Sequence, residues 1–297
     1  MKILIIGSGG QLGTDCIQIL GTDHQIIATD YPDIDIGEPA SVTRICRDAK
    51  PEIIINCAAY TAVDKCESER EAAWRINADG PRHIGEVAAA IGARVVHIST
   101  DYVFDGRREV PQPYVEDDPV NPLSEYGRSK LAGEQNLLHC CPDALVLRTA
   151  WLYSAHGPNF LKTMLRLALS DPERNFTIVD DQFGSLTWSD TLARQIGVLL
   201  DSDLTGIVHA TSDAHSSWYE AACYFLKRMD IAHRFVPCAT ADYPTPAHRP
   251  ANSILRNKVL ELHGLSGFGP WQGHVDHFVE HCGKQLLEET KQQLARH

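Results

Sequence analysis

The stretch KILIIGSGGQLG, residues 2–13, constrains the fold more than any other part of the chain. A run that is apolar at consecutive positions suits a strand whose sheet is covered on both faces, as in a parallel sheet flanked by helices. The run stops at a loop whose glycines fit G-x-x-G-x-x-G through Gly7, Gly10 and Gly13, and fail G-x-G-x-x-G because Leu12 stands where the third glycine would fall. Glycines there let the backbone come close to an anion, and the helix that follows offers unpaired N–H groups to a pyrophosphate. Strand, glycine turn and helix together predict a dinucleotide-binding unit opening a doubly wound α/β domain.

The same rhythm continues. Strands over 25–30 (QIIATD), 52–60 (EIIINCAAY), 94–100 (RVVHIST) and 144–153 (ALVLRTAWLY) alternate with helices over about 11–20, 39–49 and 68–91 and one opening near Tyr126. That order is a Rossmann-like doubly wound parallel sheet. GIVHATS at 206–212 reads as a strand returning to it. The expected division is a dinucleotide-binding domain over 1–153, completed by about 180–212, and a smaller C-terminal α/β substrate domain over 154–179 and 213–297.

Charge and composition narrow the function. With 27 basic against 39 acidic side chains, a net charge of -12 opposes non-specific binding to nucleic acid or an anionic membrane. No apolar run reaches the roughly 20 residues of a membrane span, so a cytoplasmic protein is expected. The nine cysteines form no C-x-x-C pair and read as reduced thiols.

Several side chains stand where chemistry would need them. Asp30 ends the second strand, where a carboxylate bonds a ribose 2′-hydroxyl and repels a 2′-phosphate, which favours NADH. Asp35 and Ile36 follow at the adenine side. In YGRSK, Tyr126 and Lys130 share a helix face, and an ammonium beside a phenol draws its pKa down from about 10. Ser99, Thr100 and Asp101 close an apolar strand at the ligand-binding edge, so the Thr100 hydroxyl and the Tyr126 phenol can converge on one carbonyl. Ala58, Ala59 and Tyr60 end another strand with small residues past which a cofactor can run. Arg249 in HRPANS offers a fork of donors to a diphosphate, with a structural salt bridge as the alternative. His274, His277 and His281, next to Cys282, share one helix face, but no carboxylate at the right spacing completes a metal set. The acidic run 116–118 reads as a solvated face within a proline-rich, semi-rigid loop.

Taken in order, GSGGQLG, AAYTAVDKCES, RINADGPRHIG, STDYVFDG, YGRSKLAGE, RTAWLY, DQFGS and RPANSIL resemble the dTDP-4-dehydrorhamnose reductases of the extended short-chain dehydrogenase/reductase superfamily, from residue 1 to about 260. The resemblance implies reduction of the C4 ketone of dTDP-4-dehydro-L-rhamnose with NADP(H) or NAD(H). It assigns cofactor contacts to Gly7, Gly10, Gln11, Leu12, Asp30, Asp35, Ile36, Ala58, Ala59 and Tyr60. Thr100, Tyr126 and Lys130 become the catalytic set, with Lys130 also on the nicotinamide ribose, while Val63, Tyr102 and Trp151 line the deoxysugar. Some relatives bind Mg2+ where two subunits meet, and Asp15 and Asp190 align with such positions, which makes a metal-bridged homodimer a further expectation. A nucleotide-sugar epimerase or dehydratase of the same superfamily is the rival enzyme. A non-catalytic subunit like that regulating methionine adenosyltransferase is the rival of another class.

Overall fold

Six strands, β1 (Lys2–Ile6), β2 (Gln25–Thr29), β3 (Ile53–Asn56), β4 (Arg94–Thr100), β5 (Leu145–Thr149) and β6 (Gly206–His209), form one parallel sheet in the order β6-β5-β4-β3-β1-β2. The structure is a computed structural model that describes residues 1–296; position 297, the end of the expected substrate domain, lies outside the described residues. From β1 the chain winds outward to β2 and then returns to the other side of β1 for β3. The order therefore reverses between β1 and β3, where a doubly wound sheet opens its ligand crevice.

Alternate side chains of each strand enter opposite cores, which accounts for the consecutive apolar runs. Ile3, Ile5, Ile53, Ile55, Leu145 and Leu147 pack with residues of the Gln11–Leu20 and Ser189–Leu200 helices. Leu4, Ile6, Ile54, Val95 and Val146 pack with the Pro39–Ala49, Gly80–Ile91 and Glu125–Cys140 helices. A third core, from Tyr153, Leu161, Leu165, Phe225, Val275 and Phe278, lies in the later part of the chain, beside a small parallel pair, Asn175–Val179 with Arg234–Cys238. Among the described residues no helix is long and apolar enough to cross a membrane.

Four expected elements differ: the strand expected over 144–153 is broken into Leu145–Thr149 and Leu152–Tyr153, the latter paired with Thr187–Trp188 outside the main sheet, and the strand expected over 206–212 ends at His209. The strand expected over 52–60 ends at Asn56, leaving 57–60 as a loop over the sheet edge. The helix expected over 68–91 is divided into Arg70–Trp74, a π-turn Arg75–Asp79 and Gly80–Ile91, with a separate turn at Val63–Cys66. Pro81 has no N–H to give and its ring would crowd the carbonyl one turn back, so the helix widens just before it. Within the π-turn the Ala78 carbonyl accepts from Asn136 Nδ2 of the neighbouring helix, at 3.0 Å.

The Glu125–Cys140 helix lies unusually close to its neighbours. A Cβ on Gly127 would stand 2.2 Å from the Tyr102 carbonyl oxygen, and one on Gly133 would stand 2.0 Å from that of Asn77. Beneath it, Glu134 receives two bonds from Arg148 of β5, at 2.9 and 2.7 Å, and one from Ser99 of β4, all three side chains being buried. Helix propensity alone would favour Gly133→Ala by about 1 kcal/mol. The backbone contact is expected to win, so that urea unfolding finds this variant about 1–3 kcal/mol less stable than the parent; an equal or higher stability would show the helix free to move away.

Candidate active site

A cleft of about 680 Å³ runs along the C-terminal edge of the sheet, across the β1–β3 crevice. At its first end Gly7 has φ +79°, and a Cβ there would lie 2.6 Å from the Ala58 nitrogen, so only glycine lets β1 turn against the β3 loop. A Cβ on Gly13 would meet the Gly7 carbonyl at 2.1 Å, which keeps the first helix tight on the turn. Gly10 caps that helix without a side chain, leaving its first N–H groups directed at the cleft mouth formed with Gln11 and Leu12. This is a cradle that a side chain would fill and that fits a dinucleotide pyrophosphate.

Further along, Asp30 accepts from the Gly9 N–H at 2.7 Å and the Tyr31 N–H at 2.8 Å, tying the end of β2 to the glycine loop. Asp35 accepts from Arg75 at 2.9 Å and from the Gly37 N–H at 2.9 Å, and Ile36 lines the cleft beside it. On the opposite wall the Asn56 side chain accepts from the Ala58 N–H at 3.1 Å and donates to His97 Nδ1 at 3.0 Å. Burial pushes His97 far below the ordinary histidine range, so it is neutral and able to accept. Asn77, in the π-turn, bonds both the N–H and the carbonyl of Tyr60, at 2.8 and 3.0 Å, and donates to Ser129 Oγ at 3.1 Å. One amide thus joins the Ala58–Tyr60 loop to the Tyr126 helix.

At the centre stand Thr100, Tyr126 and Lys130. Ser124 caps the helix by accepting from the Gly127 N–H at 3.2 Å, which starts it one residue before Tyr126. Tyr126 meets Tyr102 edge to face, with centroids 5.5 Å apart. Burial of its polar end pushes the phenol well above the ordinary tyrosine value, against a smaller lowering by the neighbouring Thr100 hydroxyl. The sequence expectation that Lys130 draws the phenol down is not met here. Burial pushes Lys130 itself down to about 8, and its ammonium donates to the Ile98 carbonyl at 2.6 Å, as a buried cation must find an acceptor. Thr100 Oγ1 donates to Asp101 Oδ1 at 3.0 Å. Burial raises Asp101 to about 6, with the nearby Ser253 and Thr100 hydroxyls opposing.

Beyond Tyr126 the wall is aromatic. Trp151 takes the left-handed conformation, φ 48°, and stacks on Trp218 with centroids 3.4 Å apart and planes 6° from parallel. Gly184 packs against the same indole, where a Cβ would come within 2.4 Å of the ring. Trp218 Nε1 donates to Gln182 Oε1 at 3.2 Å, which anchors the stack. Val63 and Tyr102 complete this end.

All the expected catalytic, cofactor and sugar positions except Arg249 therefore line one cleft. Arg249 forms a two-point ion pair with Asp64, at 3.1 and 2.9 Å, that holds the Asp64 carboxyl below its usual range. Asp15 and Asp190 do not present a shared metal face. Asp15 is buried, receiving bonds from the hydroxyls of Ser189 and Ser154, while Asp190 pairs with Arg194 at 2.7 Å. The acidic run is not a free solvated face: Glu116 accepts from the His209 and Val259 N–H groups, Asp118 from Arg108 and the Val115 N–H, and Asp117 pairs with Lys258. Trp218, Asn77 and Gln182 are given no role by the sequence; Asn77 lies in RINADGPRHIG and Gln182 in DQFGS, whereas none of the family-like motifs contains Trp218.

A parallel sheet with a glycine cradle at its order reversal, and a Tyr–Lys pair on the wall of the same cleft, define a dinucleotide-dependent oxidoreductase of the short-chain dehydrogenase/reductase type. Residues 1–283 match the family described as RmlD substrate binding domain. The dTDP-4-dehydrorhamnose reductase of Sinorhizobium fredii is 41% identical over 272 residues, covering 88% of this chain and 90% of the relative. The crystal structure of a dTDP-4-dehydrorhamnose reductase from Clostridium acetobutylicum superposes with a TM-score of 0.91 at 40% identity, over 94% of this chain and 99% of that one. The reductase from Bacillus anthracis, solved in complex with NADP, gives 0.91 at 35% identity, over 95% and 100%. The chain belongs to the RmlD substrate binding domain family.

Asp101 gives this site a pH signature. Folded, it keeps its proton up to about 6, whereas the ordinary carboxyl value is 3.8. Between those values the folded state binds more protons, so stability falls as pH rises through the window and the full cost is present above it. Asp101→Asn lacks that titration. Its stability relative to the parent is expected to grow by roughly 2–3 kcal/mol between about pH 4 and pH 7, measured by urea unfolding across the range; a difference that stays constant with pH contradicts the assignment.

Proposed function

We propose that this chain reduces the C4 ketone of dTDP-4-dehydro-L-rhamnose to dTDP-L-rhamnose, with NADPH or NADH as reductant. The observation that carries the reading is the meeting of Thr100, Tyr126 and Lys130 with the glycine cradle in one cleft, in a chain whose similar relatives are named for that reduction. NADP in the Bacillus anthracis relative supports NADPH; the Asp30 carboxylate at the end of β2 supports NADH.

When bound, the dinucleotide supplies the hydride. Gly7, Gly10 and the free N–H groups at Gln11 and Leu12 hold its pyrophosphate, Asp30, Asp35 and Ile36 border its adenosine, and Ala58, Ala59 and Tyr60 leave room along its length. Thr100 turns its hydroxyl proton from Asp101 to the ketone oxygen and holds that oxygen beside Tyr126. The phenol, raised further by burial from an ordinary value already above neutral pH, holds its proton and gives it to the oxygen as it becomes an alkoxide. Lys130 supplies positive charge behind the phenol and a donor for the ribose. Trp151, oriented by its stack on Trp218, borders the deoxysugar with Val63 and Tyr102, and residues 154–179 and 213–296 form the lobe that receives the nucleotide-sugar side.

The test follows NADPH and NADH oxidation by absorbance with dTDP-4-dehydrorhamnose. Tyr126→Phe is expected to lower kcat by about 10²–10⁴-fold with little change in dinucleotide binding; wild-type turnover in that variant would remove Tyr126 as the acid. Trp218→Ala is expected to raise KM for the sugar nucleotide roughly tenfold through loss of the stack that orients Trp151, with Trp218→Phe retaining most of the affinity. An unchanged KM in Trp218→Ala would show that Trp151 stands without it.

A further inference from the structure

The histidines of the Trp271–Leu294 helix fall into two groups. Trp271, Val275, Phe278 and Leu286 bury one side of the helix in the core of the later lobe. That anchoring leaves His277, Glu280 and His281 together on the exposed side. His274 is turned elsewhere, with Nδ1 2.8 Å from Ser212 Oγ in a partly buried contact. The sequence expectation of one face carrying His274, His277 and His281, with no carboxylate to complete it, is thus corrected twice: His274 leaves the set and Glu280 enters it.

The three remaining side chains bring two imidazoles and a carboxylate close to one point. His277 Nδ1 lies 3.5 Å from Glu280 Oε2, and one ligand atom from each of the three lies within 4.8 Å of the other two. Tetrahedral donors at about 2.0–2.2 Å from Zn2+ stand roughly 3.3–3.6 Å from one another. Rotation of exposed side chains on a rigid helix closes that gap without moving the backbone. His281 Nδ1 is 2.7 Å from the His277 carbonyl oxygen. Acting as the N–H donor there, it leaves the lone pair on Nε2, which is how imidazole ligands are commonly set for a metal. Two imidazoles and a carboxylate suit Zn2+ or Cu2+, whereas Mg2+ and Ca2+ prefer sets made of oxygen alone.

We propose that His277, Glu280 and His281 form a solvent-facing site for one divalent transition-metal ion of the Zn2+ class, with water in the remaining positions. None of the three lines the reductase cleft, so the site is separate from the reaction proposed above.

The test is calorimetric titration of the full chain, free of any affinity tag and stripped with a chelator, with Zn2+ alone. The His277→Ala/His281→Ala variant is expected to lose one equivalent of Zn2+, or to bind it roughly tenfold or more weakly. Glu280→Gln is expected to weaken binding by less, and His274→Ala to bind as the parent does. With Cu2+ as the probe, electron paramagnetic resonance is expected to show two imidazole nitrogens in the parent and to lose them in the double variant. Circular dichroism and NADPH oxidation at parental levels establish that the double variant is folded and active. No Zn2+ binding by the parent, equal binding by the double variant, or loss of binding in His274→Ala alone overturns the proposal.

Discussion

The close docking of the Glu125–Cys140 helix on the edge of the sheet is the contact on which the rest of the cleft depends. Gly127 lets it reach the Tyr102 carbonyl and Gly133 the Asn77 carbonyl, distances at which no side chain fits. The buried Glu134–Arg148 pair, with Ser99, then sets the register of the helix against β4 and β5. Such a pair adds little net stability once the desolvation of both charges is counted, but removing one partner strands the other and costs about 3–5 kcal/mol. Its effect is positional. It brings Lys130 under the Ile98 carbonyl, Ser129 onto Asn77 and Tyr126 against Tyr102.

Burial also sets the proton chemistry. The same desolvation that pushes the Tyr126 phenol and the Asp101 carboxyl up pushes the Lys130 ammonium down. A phenol that holds its proton at neutral pH is suited to giving it to a developing alkoxide. The sequence spacing of Tyr126 and Lys130 suggested the opposite sign for the phenol, because it counts the nearby charge and not the loss of water. Around this centre the polar contacts are preorganised by residues that do not themselves line the cleft: His97 orients Asn56, Asn56 holds the Ala58 N–H, and Asn77 holds Tyr60.

Legibility in the sequence followed the range of the interaction. The glycine turn, the buried strands and the helical Tyr–Lys face are local patterns, and Gly7, Gly13, Tyr126 and Lys130 stand where those patterns placed them. The π-turn at Arg75–Asp79 follows from Pro81 meeting a helix that continues past it, a conflict that propensity alone does not resolve. Trp218 reaches Trp151 from a helix in the later lobe, and Arg249 reaches Asp64 across most of the chain. Pairings of that kind leave no periodicity to read. Arg249 illustrates the cost: its chemistry suits a diphosphate, yet a carboxylate brought close by the fold takes the same fork of donors.

The most direct test of the account is a crystal structure with NADPH and dTDP-L-rhamnose bound. It is predicted to place the sugar C4 oxygen within hydrogen-bond distance of both Tyr126 Oη and Thr100 Oγ1, with the pyrophosphate over Gly7 and Gly10 and the deoxysugar against Trp151. A complex in which the C4 oxygen lies beyond reach of Tyr126, or in which the dinucleotide bypasses the glycine cradle, would contradict it.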